Sequence, residues 1–203
     1  METYEIKGHT LEYIDDGHIY LVDGIIVPSV TQILKTRFGG MYSNVDQETL
    51  NKAAEAGTAL HKAIEDYCRY GIDSDLEEMR GFKWLQREYN FRVLENEVPL
   101  ILFDGERPIA AGRCDMVIEH DGKIGGADIK RVSALNKEYV CCQLNLYNRA
   151  YFASYGVQWD FIWAIQLRGE KRRITRLKQD SKYTDKLLEE YYEQNISDGQ
   201  TDI

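Results

Sequence analysis

The sequence predicts an α/β domain built on a mixed β-sheet. Three observations carry that prediction: short alternating segments before residue 28, helical-period stripes over 46–96, and a central run of strand signals followed by a helix and an apolar strand. The chain has 203 residues and a mass of 23.6 kDa, which fits a single domain. A chain of that size buries roughly 70% of its unfolded surface, so it needs no disulfide or structural metal to fold. Hydrophobic residues at 43% and charged residues at 29% exclude a disordered or fibrous chain.

Residues 3–28 alternate apolar and polar and are broken at Lys7-Gly8, Asp15-Asp16-Gly17 and Asp23-Gly24, the pattern of short hairpins. Pro28-Ser29 opens a short helix, SVTQILK, with Ser29 as its N-cap, and Gly39-Gly40 closes it. From Asp46 to Tyr70, Leu50, Ala53, Ala54, Leu60, Ile64 and Tyr67 recur at helical spacing, and Gly71 supplies the stop. A second helix is expected over about 74–96, its stripe formed by Leu76, Met79, Phe82, Leu85, Tyr89 and Val93. Strand signals follow at VPLILFD, at 109–120 and at 123–131. Residues 135–155 read as helix, WDFIWAIQL as an apolar strand, KRRITRLK as a basic strand, and 180–194 as a terminal helix before a frayed tail.

The formal charge of −9 argues against a uniformly anionic partner. The four cysteines lack CxxC spacing, which suits a reduced, cytoplasmic protein with thiols as small core residues. The polar start METYEIKGHT lacks the apolar core of a signal peptide, and no apolar run reaches membrane-spanning length.

The richest segment is GRCDMVIEHDGKIGGADIKR, residues 112–131. Asp121-Gly122 between apolar runs marks a two-residue hairpin, because both positions tolerate positive φ. Facing residues lie symmetrically about such a turn, which sets Asp115 opposite Asp128 unless Gly125-Gly126 forms a bulge. Two facing carboxylates repel unless a cation or a shared proton lies between them. Lys130 follows Asp128 on the same strand face, although an exposed salt bridge would give the same triplet. On the first long helix, His61 borders the buried stripe and Glu65 follows one turn on. A satisfied core-edge histidine would look the same. Gly57, in mid-helix, suggests a close approach to the backbone. Gln143 and Tyr147 share a helix face, as a core-edge pair also would.

In order, GTALH (57–61), GRCD (112–115), DIK (128–130) and QLNLY (143–147) resemble the motifs of the RecB-type and phage-exonuclease branch of the PD-(D/E)XK nucleases. PSVTQIL is similar to the opening of such exonucleases. The resemblance spans roughly residues 55–150 and implies a restriction-endonuclease-like core at 46–180 in a single nuclease domain over 1–203. The hairpins would occupy 1–28, and a C-terminal helix and tail 181–203. Two departures stand out: no proline precedes Asp115, and no cysteine follows Cys142, so an iron–sulfur cluster is not expected.

The resemblance implies a metal-dependent DNA exonuclease using Mg²⁺ or Mn²⁺, bacterial or phage-encoded, with DNA as substrate and a recombination or helicase partner. Its alternatives are an endonuclease, a CRISPR-adaptation-type nuclease and a catalytically vestigial nucleic-acid-binding module on the same fold. His61, Asp115, Asp128 and the Ile129 carbonyl would hold the metal, and Lys130 would orient or help deprotonate the attacking water. Gln143 and Tyr147 would contact the DNA backbone or steady Lys130, and Glu65 would support His61. Arg131, Lys137, Arg168, Lys171, Arg172, Arg173 and Arg176, with Lys178, form a basic stripe that could track phosphates. The same charges would equally protect an exposed edge strand. On this reading, part of the acidity belongs to the metal site, and the rest lies on helices facing away from substrate.

Overall fold

The computed structural model describes residues 1–41 and 43–197. The expected hairpins form an antiparallel meander of β1 (Glu2–Ile6), β2 (His9–Ile14), β3 (Ile19–Val22) and β4 (Ile25–Val27). Lys7, Gly8, Asp23 and Gly24 all take positive φ, which lets these turns be short. Helix α1 (Val30–Phe38) starts at a capping box: Ser29 Oγ accepts from Gln32 N–H, and Gln32 Oε1 accepts from Ser29 N–H. Helix α2 (Gln47–Tyr70) is capped by Asp46 and stopped by Gly71 at φ 69°.

Helix α3 covers only Glu77–Glu88, shorter than the stripe suggested. Asn90, at φ 46°, turns the chain, and residues 91–96 begin strand β5 (Phe91–Asp104). Val93 therefore pairs with Ile118 on a strand rather than extending a helix. The stripe in that stretch comes from side chains packing on the sheet, and twelve residue pairs with β6 override local propensity. The rest follows the expected order: β6 (Arg107–His120), β7 (Lys123–Lys130), α4 (Lys137–Tyr155), β8 (Phe161–Arg168), β9 (Lys171–Leu177) and α5 (Ser181–Ser197). The tail expected beyond α5, residues 198–203, lies outside the described residues.

The second sheet runs β5-β6-β7-β8-β9, antiparallel except for the β7/β8 pair, which α4 connects. The fold is thus α/β on a mixed sheet. One face carries a core of α1, α4 and α5 residues such as Leu34, Leu144 and Leu187. The other carries Leu60, Ile64, Phe82 and Leu85 from α2 and α3. The meander packs through Leu11, Tyr20 and Val22 onto Ile101, Phe103 and Ala111 of β5 and β6.

No bulge interrupts β6/β7: the ladder runs from His120–Lys123 to Met116–Ala127. The two glycines of β7 serve another purpose. A Cβ on Gly126 would sit 2.1 Å from the Trp159 ring, and one on Gly125 would sit 2.4 Å from the Phe161 ring. They admit aromatic rings against the strand and leave its register intact. All four cysteines are free thiols, and burial pushes Cys68 and Cys142 up to about 11. Among the described residues, no helix is long and apolar enough to cross a membrane.

Candidate active site

The site lies where β5, β6 and β7 run side by side and both helical layers reach the sheet. On β6 the pairing places Asp115 between Cys114 and Met116, which face Val98 and Asn96 of β5. Glu97 therefore stands opposite Asp115. On the other side the ladder stops one step short of Asp115 and Asp128. Its place is taken by a side chain: Asp115 Oδ2 accepts the Ile129 N–H at 2.7 Å. Three acids from three adjacent strands thus lie in one row, an arrangement that costs energy by repulsion and adds nothing to the core.

Helix α2 delivers His61 to this row from one layer. Its Nε2 lies 3.1 Å from the Ile129 carbonyl oxygen, and its Nδ1 lies 3.6 Å from Asp115 and 3.9 Å from Glu97. One ligand-type atom from each of His61, Glu97 and Asp115 falls within 4.8 Å of the others. Helix α4 approaches from the opposite layer. Gln143 and Tyr147 are both buried one turn apart on α4, and the Tyr147 ring packs on Gly112, where a Cβ would meet it at 3.0 Å. The glycine of GRCD thus makes room for the tyrosine of QLNLY.

Asp128 is 1% exposed, with both carboxylate oxygens within 2.8 Å of the Lys130 ammonium. Only Oδ1 accepts a well-aligned hydrogen bond; Oδ2 is buried without one, as is Gln143 Oε1. Burial, with Asp115 adding to it, pushes the Asp128 carboxyl up to about 6 against the pull of Lys130. Burial alone would lower His61, yet Asp115, Glu97 and Asp128 outweigh it and raise the imidazole to about 9. Lys130 is also held above its usual range, because Asp128 and Asp115 more than offset its burial. It is an ammonium here. Burial, then the Asp115 charge, pushes the Tyr147 hydroxyl well up.

No family model matches this sequence, and no curated protein does. Among solved structures, the crystal structure of SSO0001 is similar over 82% of this chain and 75% of that chain, at 16% identity and a TM-score of 0.48.

The structure brings together His61, Asp115, Asp128, Ile129 and Lys130, with Gln143 and Tyr147 behind them. It does not bring Glu65 to His61. Glu65 pairs with Arg69 at 3.1 Å and Lys62 at 3.5 Å, because a one-turn step shares a helix face without turning both side chains toward one point. Glu97 stands at His61 instead, a residue that no sequence motif marks. Its one signal is a left-handed backbone at φ 51°, uncommon for a non-glycine residue, and that is visible only once folded. Arg113 steadies it, with Nε 3.4 Å from Glu97 Oε2 and the guanidinium over the Tyr13 ring. The close approach expected at Gly57 is also missing, since a Cβ there would meet nothing within 4 Å.

The basic stripe divides. Arg131 is taken by the buried Glu78 at 2.9 Å. Lys171 donates to the Ser133 carbonyl, and Arg172 lies 4.5 Å over the Trp84 ring. Arg176 stands 5.8 Å over Trp163, while Arg173 is exposed on the same outermost strand, β9. Arg168 is exposed at the end of β8, and Lys137 is exposed in the first turn of α4. Lys178 pairs with Asp180.

Proposed function

We propose that this chain is a metal-dependent deoxyribonuclease of the PD-(D/E)XK kind, with a restriction-endonuclease-like core, that hydrolyses phosphodiester bonds at DNA ends in repair or phage-type recombination. One observation carries the reading. The buried Asp128, whose Oδ2 has an ion pair with Lys130 at 2.7 Å but no aligned hydrogen bond, ends a row of three acids of which Glu97 and Asp115 converge with the His61 imidazole beside a strand carbonyl. Lys130 and Arg113 meet two of the three acids, and the carboxylate and carbonyl oxygens that converge here are the donors that Mg²⁺ takes. The His61 nitrogen suits Mn²⁺ as well. The donors present fit such an ion, and His61, Glu97, Asp115, Asp128 and the Ile129 carbonyl would hold it. A divalent cation bound there would neutralise phosphate charge and make a water more acidic.

The chain's own residues do the rest. Lys130, kept as an ammonium, hydrogen-bonds an incoming water and stabilises negative charge as it develops on the phosphate. Asp115, fixed by the Ile129 N–H, keeps its geometry without any ion. Gln143 and Tyr147 back Asp115 from the α4 side. Gly57 lies one turn before His61 on α2, so its missing side chain leaves that face open to a DNA backbone. The exposed cations of β9 suit sequence-independent phosphate contact.

The test is digestion of end-labelled linear and circular DNA, single- and double-stranded, with Mg²⁺ and with Mn²⁺. Linear DNA is degraded from its ends, circular DNA is spared, and Lys130→Ala abolishes the reaction while thermal unfolding stays cooperative. Wild-type activity in Lys130→Ala would refute the assigned site.

A further inference from the structure

Beside Lys130, on the α1–α4 side of the sheet, a cavity of about 330 Å³ opens next to the row of acids. Its walls are mostly apolar: Phe38 at the end of α1, Met41 just after it, Leu135 before α4, and Tyr139 in the first turn of α4. The Phe38 and Tyr139 rings meet edge to face, with centroids 5.4 Å apart at 75°. Met41 is held in the wall by the Asn136 amide, which donates to its sulfur at 2.8 Å. Lys130 closes one side, its ammonium 5.9 Å from the Tyr139 ring centre, and Lys35 adds a second cation. An apolar, aromatic cavity with a few cationic groups is the usual form of a small-ligand site.

The geometry points to an occupant: one unpaired nucleobase, belonging to the nucleotide next to the cleaved phosphodiester. This rests on the nuclease reading, because it takes Lys130 as the group beside the phosphate. Three features of the cavity favour a base. It shares Lys130 with the acid row, so a nucleotide whose phosphate lies at that ammonium has its base within reach of the aromatic walls. Its rings offer the flat contact on which bases stack whatever their sequence. Its cations suit the phosphates on either side of that base. Stacking on these rings needs a base with a free face, so the base must first leave its duplex stack and its partner. The site would therefore act on single-stranded or frayed ends, and a blunt duplex would pay for opening before cleavage.

The experiment has a binding arm and a cleavage arm. In Ca²⁺, a single-stranded oligonucleotide with 2-aminopurine at its terminal nucleotide is titrated with wild-type protein and with Ala134→Phe. Ala134 is an exposed residue lining the cavity and takes no part in the acid row. Quenching by wild type that is lost in Ala134→Phe, with unchanged thermal unfolding, supports the cavity as the base site; equal quenching by both overturns it. In Mn²⁺, wild type alone is given ends whose terminal nucleotide is intact or abasic. Removing the base lowers kcat/KM about tenfold or more, the scale of one lost stacking contact. Equal cleavage of both ends overturns the cavity's role and leaves the nuclease reading standing. If no DNA is cleaved under any condition, the nuclease reading falls, and the quenching arm still decides whether the cavity takes a base.

Discussion

Glu78 on α3 and Asp128 on the central strand β7 are both almost fully buried, and they live in opposite environments. Glu78, on α3, is satisfied: Arg131 lies 2.9 Å from its Oε1, and the Gly169 N–H donates to the same oxygen at 3.2 Å. Burial pushes its carboxyl up, but those donors, with its own backbone N–H, win and hold it below the usual range. Asp128 has the Lys130 ammonium and the weaker pull of His61, but burial and the Asp115 charge outweigh them, and its carboxyl is pushed up to about 6 with one oxygen lacking a hydrogen bond. The first acid is a fastening between α3, the β7 exit and the β8–β9 turn. The second is held where folding alone does not favour it, which is what the proposed reaction asks of it.

The contrast breaks most sharply under substitution. Asp128→Asn should lower metal-dependent DNA cleavage about 10³-fold or more. Its metal-free stability should stay within about 1 kcal/mol of wild type, since relief from Asp115 offsets the weakened Lys130 contact. Glu78→Gln should do the reverse, costing about 2–3 kcal/mol in denaturant unfolding because it leaves Arg131 facing a neutral amide. If the two variants lose equal stability, the distinction between them is wrong.

The same pair can be separated by pH. Because Glu78 is depressed in the fold, its stabilisation is present above its ordinary value of 4.5 and disappears as pH falls through the lower folded value. The stability gap between wild type and Glu78→Gln should therefore narrow steadily on acidification below about pH 4.5. A gap that stays constant down to complete unfolding would contradict the assigned partners.

Two smaller effects test the open side of the Asp128 region. Gly57→Ala should raise stability by about 1 kcal/mol, as helix propensity dictates, while slowing DNA cleavage. Unchanged cleavage would remove the proposed path of DNA along α2. Arg173→Ala should lower the salt slope of DNA binding by about 0.7–0.9, one phosphate contact. No change would leave β9 as a charge-protected edge strand.

How much of this was legible in the sequence follows from how far apart the partners are. The hairpin that carries Asp115 and Asp128 could be read because an Asp-Gly turn fixes it locally, and the glycines of β7 left the register alone up to Met116–Ala127, one step before the two acids. Lys130 followed from strand alternation. Glu97 was out of reach. It sits just past residues 91–96, whose spacing imitates an extension of α3, and it joins the site only through pairing of β5 with β6. Glu65 misled because helical spacing specifies a face and leaves the direction of the side chain open. Gly57 was noticed, but no part of the chain occupies the space beside it.

The acid row also has a calendar. Asp115 and Ile129 are fourteen residues apart and meet as soon as one hairpin closes, whereas His61 lies sixty-eight residues from the carbonyl it touches. Loop closure favours the near pair first, so a partly folded chain holds two aspartates but not the full set of donors. The proposed divalent-ion site would then be complete only in the finished molecule, and ion uptake during refolding would time the docking of α2.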